Sequence, residues 1–96
     1  MSADASESEG VDWAQYGYVE ASDHRTRVVD ALHSEGPATP TTLSERTGLD
    51  VTHVSRTLRD LSEESIVELL VPEERTKGRI YGLTDAGEAV AVEVAA

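Results

Sequence analysis

Thr39-Pro40-Thr41-Thr42-Leu43-Ser44-Glu45-Arg46-Thr47-Gly48-Leu49-Asp50-Val51-Thr52-His53-Val54-Ser55-Arg56-Thr57-Leu58 carries two helix starts and a helix stop in one short run. Thr39 has a capping side chain and Pro40 the fixed φ that suits a first helical position. Thr42 to Glu45 has the spacing of a capping box, so a short helix is predicted over Pro40 to Thr47. Gly48 supplies the left-handed residue that stops it, and Asp50 caps a second helix running to about Glu64. Leu43, Leu49, Val51, Val54 and Leu58 are the apolar positions through which the first helix braces the second, which is what a helix-turn-helix requires.

Upstream, Ser22 caps a helix whose Val28, Val29 and Leu32 share a face, and Gly36-Pro37 ends it. Val11 to Ala21 holds three of the four aromatics, Trp13, Tyr16 and Tyr18, and reads as an arm packed on the domain's own core or on a second subunit. Residues 1–10 are Ser, Ala, Asp and Glu with one Met, one Gly and no apolar cluster, and are predicted to be a disordered acidic tail. Downstream the period changes. Ile66 to Val71 is β-branched and aliphatic, Pro72 to Gly78 is a charged turn, and Arg79 to Leu83 is a second strand, together a hairpin. Thr84 caps a last helix with Ala89, Val90, Val92 and Val94 as its apolar positions. The chain of 96 residues has room for one domain, 11–96, mainly α with a small β-hairpin.

With its hairpin and the segment Gly78-Arg79-Ile80-Tyr81-Gly82-Leu83-Thr84-Asp85-Ala86-Gly87, the stretch from Ser22 to Val92 resembles winged helix-turn-helix regulators of the MarR/ArsR kind, particularly small archaeal ones. Those families commonly close the wing with a Tyr-x-Leu-Thr-x-x-Gly run. The resemblance implies a transcription regulator that binds double-stranded DNA. It also implies a homodimer, here through the N-terminal arm and the C-terminal helix, with two reading helices about 34 Å apart to match successive major grooves.

The helix starting at Asp50 can be tested by angle alone. At about 100° per residue, Val51, Val54, Leu58 and Leu61 gather on one stripe, while Thr52, His53, Arg56, Arg59 and Asp60 occupy the opposite face. Thr52 and His53 fall in the first turn, where docked reading helices approach base edges and where free N–H groups can hold a phosphate. Arg56 points almost directly away from the stripe, and arginine is the usual bidentate partner of guanine. Thr41 and Ser55 are counted with this set, as are Arg75, Lys77 and Arg79 of the wing, although Glu73 and Glu74 at its tip depart from a basic wing. The competing reading of the two helix arginines is a pair of surface salt bridges, Arg56 with Asp60 and Arg59 with Glu63.

Charge is the apparent obstacle, because 19 acidic residues against 8 basic ones leave a net −11. The composition, with one lysine, no phenylalanine, two isoleucines and abundant Val, Ala, Thr, Asp and Glu, resembles that of proteins from salt-loving archaea. At about 1 M salt the Debye length is about 3 Å, so distant carboxylates hardly repel a phosphate. Position then matters more than total. Five of the eight basic residues lie between Arg56 and Arg79, where they nearly balance five Glu and one Asp.

Other classes find little. The chain has no cysteine, and His24, His33 and His53 have no ligand spacing, so no metal and no cofactor is expected. His24 and His33 read as surface or partly buried histidines. No carboxylate stands with a base or nucleophile in a pocket-like context, so no enzyme is expected and no catalytic residue is assigned. With no apolar run of membrane-spanning length and no secretory signal, a cytoplasmic protein is expected. The readings that rival DNA binding are an acidic winged-helix module that binds protein, and an acidic mimic of DNA that acts as a decoy.

Overall fold

A computed structural model describes residues 10–70 and 78–96. The predicted acidic tail, apart from Gly10, and the wing residues Arg75 and Lys77, with Glu73 and Glu74, lie outside the described residues. Within them the order is α1 (Trp13–Glu20), α2 (Asp23–Glu35), α3 (Pro40–Thr47), α4 (Val51–Glu63), β1 (Val67–Leu69), β2 (Tyr81–Leu83) and α5 (Asp85–Ala95).

Side-chain caps set the helix starts. Ser22 Oγ accepts the Arg25 N–H at 3.3 Å, Thr39 Oγ1 the Thr42 N–H at 3.2 Å, and Thr84 Oγ1 the Gly87 N–H at 2.9 Å. Each satisfies one of the donors that a helix N-terminus leaves open. The box spacing at Thr42 and Glu45 is not what caps α3, because Thr39 does it with Pro40 behind it. Gly48, at φ 80°, ends α3 in the left-handed conformation, where a Cβ would be penalised.

α2 lies at the centre, against α1, α3, α4 and α5. Val28, Val29 and Leu32 of α2, Leu43 of α3, Val54, Leu58 and Leu61 of α4, Ile66 and Val67 at the start of the hairpin, and Val90 of α5 are all buried in one core. Fully burying such a side chain contributes about 1.5–3 kcal/mol. Val19 of α1 joins them.

The region expected to be an arm is therefore a helix on its own core. Asp12 caps it by accepting the N–H of Ala14 and Gln15. Val19 is buried, and Tyr16 and Tyr18 pack against the core from its margin. Arg25 of α2 fastens α1, its guanidinium 3.8 Å above the Tyr18 ring and donating to the Tyr18 carbonyl at 2.7 Å. Trp13 stands edge-on to Tyr16 and is 53% exposed.

β1 and β2 are antiparallel, with Val67 opposite Leu83, Glu68 opposite Gly82 and Leu69 opposite Tyr81. They are shorter than the strands expected over 66–71 and 79–83. Ala38, in the link between α2 and α3, bridges to the other edge of β2 by exchanging both backbone hydrogen bonds with Tyr81. This ties the hairpin to the helix-turn-helix. On α5, Val90 and Ala91 are buried in the core but Val92, another of its apolar positions, is 54% exposed.

Candidate nucleic-acid interface

Four polar contacts hold the turn between α3 and α4. Ser44 Oγ donates to the Leu49 carbonyl at 2.6 Å, Thr47 Oγ1 donates to the Leu43 carbonyl at 2.7 Å and accepts the Leu49 N–H at 3.2 Å, and the Gly48 N–H closes on the Ser44 carbonyl. Arg46 locks α3 back onto α2, donating to the Gly36 carbonyl at 3.0 Å and pairing with Glu35 at 2.9 Å. A helix fixed in this way can present a rigid face.

That face belongs to α4. Val54, Thr57, Leu58 and Leu61 are buried, while Thr52, His53, Ser55, Arg56 and Arg59 are exposed together on the other side. Thr57 takes the place expected of Val51, which is 45% exposed. Val51 lies at the right angle for the stripe, but Val51, Thr52 and His53 are all exposed, so the first turn of α4 overhangs the packed core. Asp60 is half-buried rather than open. Thr41 is exposed near the start of α3.

Neither of the salt bridges weighed against DNA contact forms. Among the described residues Arg27 pairs with Asp23 and Arg46 with Glu35, while the His33–Glu88 and His53–Asp50 contacts are ion pairs only when the imidazole is protonated, and neither Arg56 nor Arg59 takes part in any of these. Arg59 and Arg79 both line a groove of about 360 Å³ between α4 and β2, with Ser55, Ser62, Glu63, Pro40 and Tyr81. Strand parity left the direction of Arg79 open, and the structure places it on this groove, exposed.

One expectation fails at the start of α4. The N–H groups expected to be free for a phosphate are occupied, because Asp50 Oδ1 accepts from Thr52 at 2.8 Å and from His53 at 3.2 Å. A carboxylate already sits where the phosphate would bind. These amides, together with the nearby His53 and Arg56 charges, hold the Asp50 carboxyl below its ordinary 3.8. A lowered carboxylate pKa stabilises the fold above the ordinary value, and that contribution is lost as pH falls through the lowered one. Asn caps as well as Asp but does not titrate. Asp50→Asn is therefore expected to match the wild type's thermal midpoint less closely near pH 7 than below pH 3.8, where the wild type's advantage disappears. A difference in midpoint that stays constant from pH 7 to pH 3 would contradict this.

His24 of α2 has no place in the sequence reading of the site, yet its ring lies 5.0 Å from that of His53, tilted by 40°. The signal for it is long-range, and no local spacing links positions 24 and 53. Among the described residues no group of three or more His, Asp or Glu side chains is arranged to hold a metal ion, and no helix is long and apolar enough to cross a membrane.

The fold is that of known winged-helix proteins. The structure of NMB1585, a MarR family regulator from Neisseria meningitidis, superposes with a TM-score of 0.71 at 24% identity, over 82% of this chain and 56% of that one. NadR, solved in complex with 4-hydroxyphenylacetate, superposes with a TM-score of 0.72 at 18% identity, over 85% of this chain and 58% of that one. The chain thus spans somewhat more than half the length of either, and at these identities the likeness is one of fold. The family description "HVO_A0261 N-terminal domain" matches residues 13–96. No curated protein matches the sequence.

Proposed function

The chain belongs to the HVO_A0261 N-terminal domain family, and from that premise we propose that it is a cytoplasmic, sequence-specific regulator of transcription, not an enzyme, that binds double-stranded DNA. α4 enters the major groove, where Thr52, His53, Ser55, Arg56 and Arg59 meet base edges and nearby phosphates. The hairpin lies along the adjoining backbone with Arg79, and with Arg75 and Lys77 beyond it, while Thr41 contacts the flank. Two chains associate through α1 and α5, where Trp13 and Val92 leave apolar surface exposed.

The observation that carries the proposal is the exposed face of α4, whose arginines have no carboxylate partner among the described residues in a chain of net charge −11. An acidic protein gains little for its own stability by leaving Arg56 and Arg59 exposed and outside the i,i+4 salt bridges available to them. Oriented toward guanine O6 and N7, they have a purpose.

Selection from a random DNA pool at high KCl tests the proposal. The wild type should enrich one motif. Arg56→Ala should relax preference at one position, at a cost of about 1–3 kcal/mol for the preferred base pair there. Enrichment of no motif would favour the acidic protein-binding or DNA-mimic readings, and an unchanged motif in the variant would remove Arg56 from base readout.

A further inference from the structure

We infer that His53 reads an exocyclic amine, on cytosine or adenine, as a hydrogen-bond acceptor, and that His24, outside the helix-turn-helix, is the positioning residue that holds it for this task. The inference rests on the DNA-binding reading above and adds to it the chemistry of one contact.

Asp50 stands beside the His53 ring. Its Oδ1 is pinned by two main-chain amides, so the carboxylate cannot swing away, and its Oδ2 stands 3.3 Å from His53 Nδ1. An imidazole nitrogen bearing a lone pair would be repelled at that distance by a carboxylate oxygen, while one bearing a proton is attracted. On a neutral ring the contact therefore favours the proton at Nδ1, which leaves the lone pair on Nε2. Among the described residues nothing hydrogen-bonds to Nε2, and the side chain is half exposed. The His24 ring stands beside it, its centroid 5.0 Å from that of His53 and tilted by 40°, and is the neighbouring group that would hold the ring's orientation. Arg56, one turn on, supplies the remaining nearby charge through its attraction for Asp50.

In the major groove, cytosine N4 and adenine N6 are the donors, whereas guanine N7 and O6 and thymine O4 accept. A ring held as an acceptor discriminates for the first pair. A ring free to choose its tautomer would accept either kind of edge. On this view Asp50 has two duties, closing the start of α4 and setting the polarity of the neighbouring reader.

The experiment uses the full chain on its selected site at pH 8.5. Each cytosine is replaced in turn by 2-pyrimidinone, which lacks the N4 amine, each adenine by purine, which lacks the N6 amine, and each guanine by 2-aminopurine, which lacks O6. One amine deletion should weaken wild-type binding about threefold to tenfold, the net worth of one neutral hydrogen bond, and should weaken His53→Ala no further. His24→Ala should shrink that coupling, and His24→Phe, which keeps a ring on the face of His53, should restore it. A coupling of His53 to guanine O6, or to no base in a site that is nevertheless selected, overturns the inference and leaves the DNA-binding reading standing. A protein that selects no site overturns both. Full coupling in His24→Ala removes the positioning role.

Discussion

Gly87→Ala should lower the thermal midpoint by roughly 10 to 20 °C, while Gly17→Ala, the same change in another helix, should raise it. A Cβ placed on Gly87 overlaps the Ile66 carbonyl oxygen and lies 3.0 Å from the Ile66 carbonyl carbon and 3.2 Å from Leu83 Cδ2. The Ile66 carbonyl cannot move aside, since it accepts from the Thr84 N–H at 3.0 Å and from Thr84 Oγ1 at 3.2 Å, the two bonds that join the end of the hairpin to α5. The methyl group must instead push α5 off its seat, loosening Val90 and Ala91. Overpacking of this kind costs about 1–3 kcal/mol and more against a rigid neighbour, well above the roughly 1 kcal/mol that Ala gains over Gly in a helix. For a domain of this size each kcal/mol moves the midpoint by about 4–8 °C. A Cβ on the exposed Gly17 of α1 meets nothing within 4 Å, so there the helix propensity of Ala stands alone. Thermal unfolding followed by circular dichroism at fixed salt checks both signs. A Gly87→Ala midpoint at or above wild type would mean that α5 does not rest on the Ile66 carbonyl.

The glycine closing the Tyr-x-Leu-Thr-x-x-Gly run is thus a packing requirement, and it illustrates which features could be read in advance. Ser22, Thr39, Asp50 and Thr84 are legible as caps because a cap is decided within three residues of itself, and all four act as caps. The exposed face of α4 is legible because angle alone determines it. What angle does not carry is where a core ends. Val51 has the angle of a buried residue but lies in a turn that overhangs the core, and Val92 has the composition of a buried residue on a helix only partly covered. α1 is illegible for a different reason. Its aromatics fall at positions 13, 16 and 18 without helical regularity, and its capping residue Asp12 follows an acidic run in which no single Asp stands out. The fate of Arg56 and Arg59 is beyond sequence altogether, since i,i+4 carboxylates are available to both and neither is used.

Salt should separate the cognate site from random DNA more sharply than any substitution. On the linear counterion-release slope of about −0.9 per phosphate, a protein touching about five phosphates loses around six powers of ten in affinity between 0.15 M and 3 M KCl. Coulomb attraction is thus nearly worthless at molar salt, which is also why a net charge of −11 is no bar to binding there. What remains, on the proposed reading, is contact that salt screens little: hydrogen bonds between base edges and Arg56, Arg59 and His53, water released from a closely fitted groove, and a second subunit that adds its half-site. Specific sites generally exceed random DNA by about 4–10 kcal/mol, enough to cover most of the electrostatic loss. Fluorescence anisotropy titrations on the selected site and on a scrambled duplex, from 0.15 M to 3 M KCl, should therefore show measurable binding persisting on the first and vanishing on the second. If both curves fall together and binding is gone from each above 1 M, the affinity is coulombic throughout. The exposed face of α4 then reads charge and not sequence.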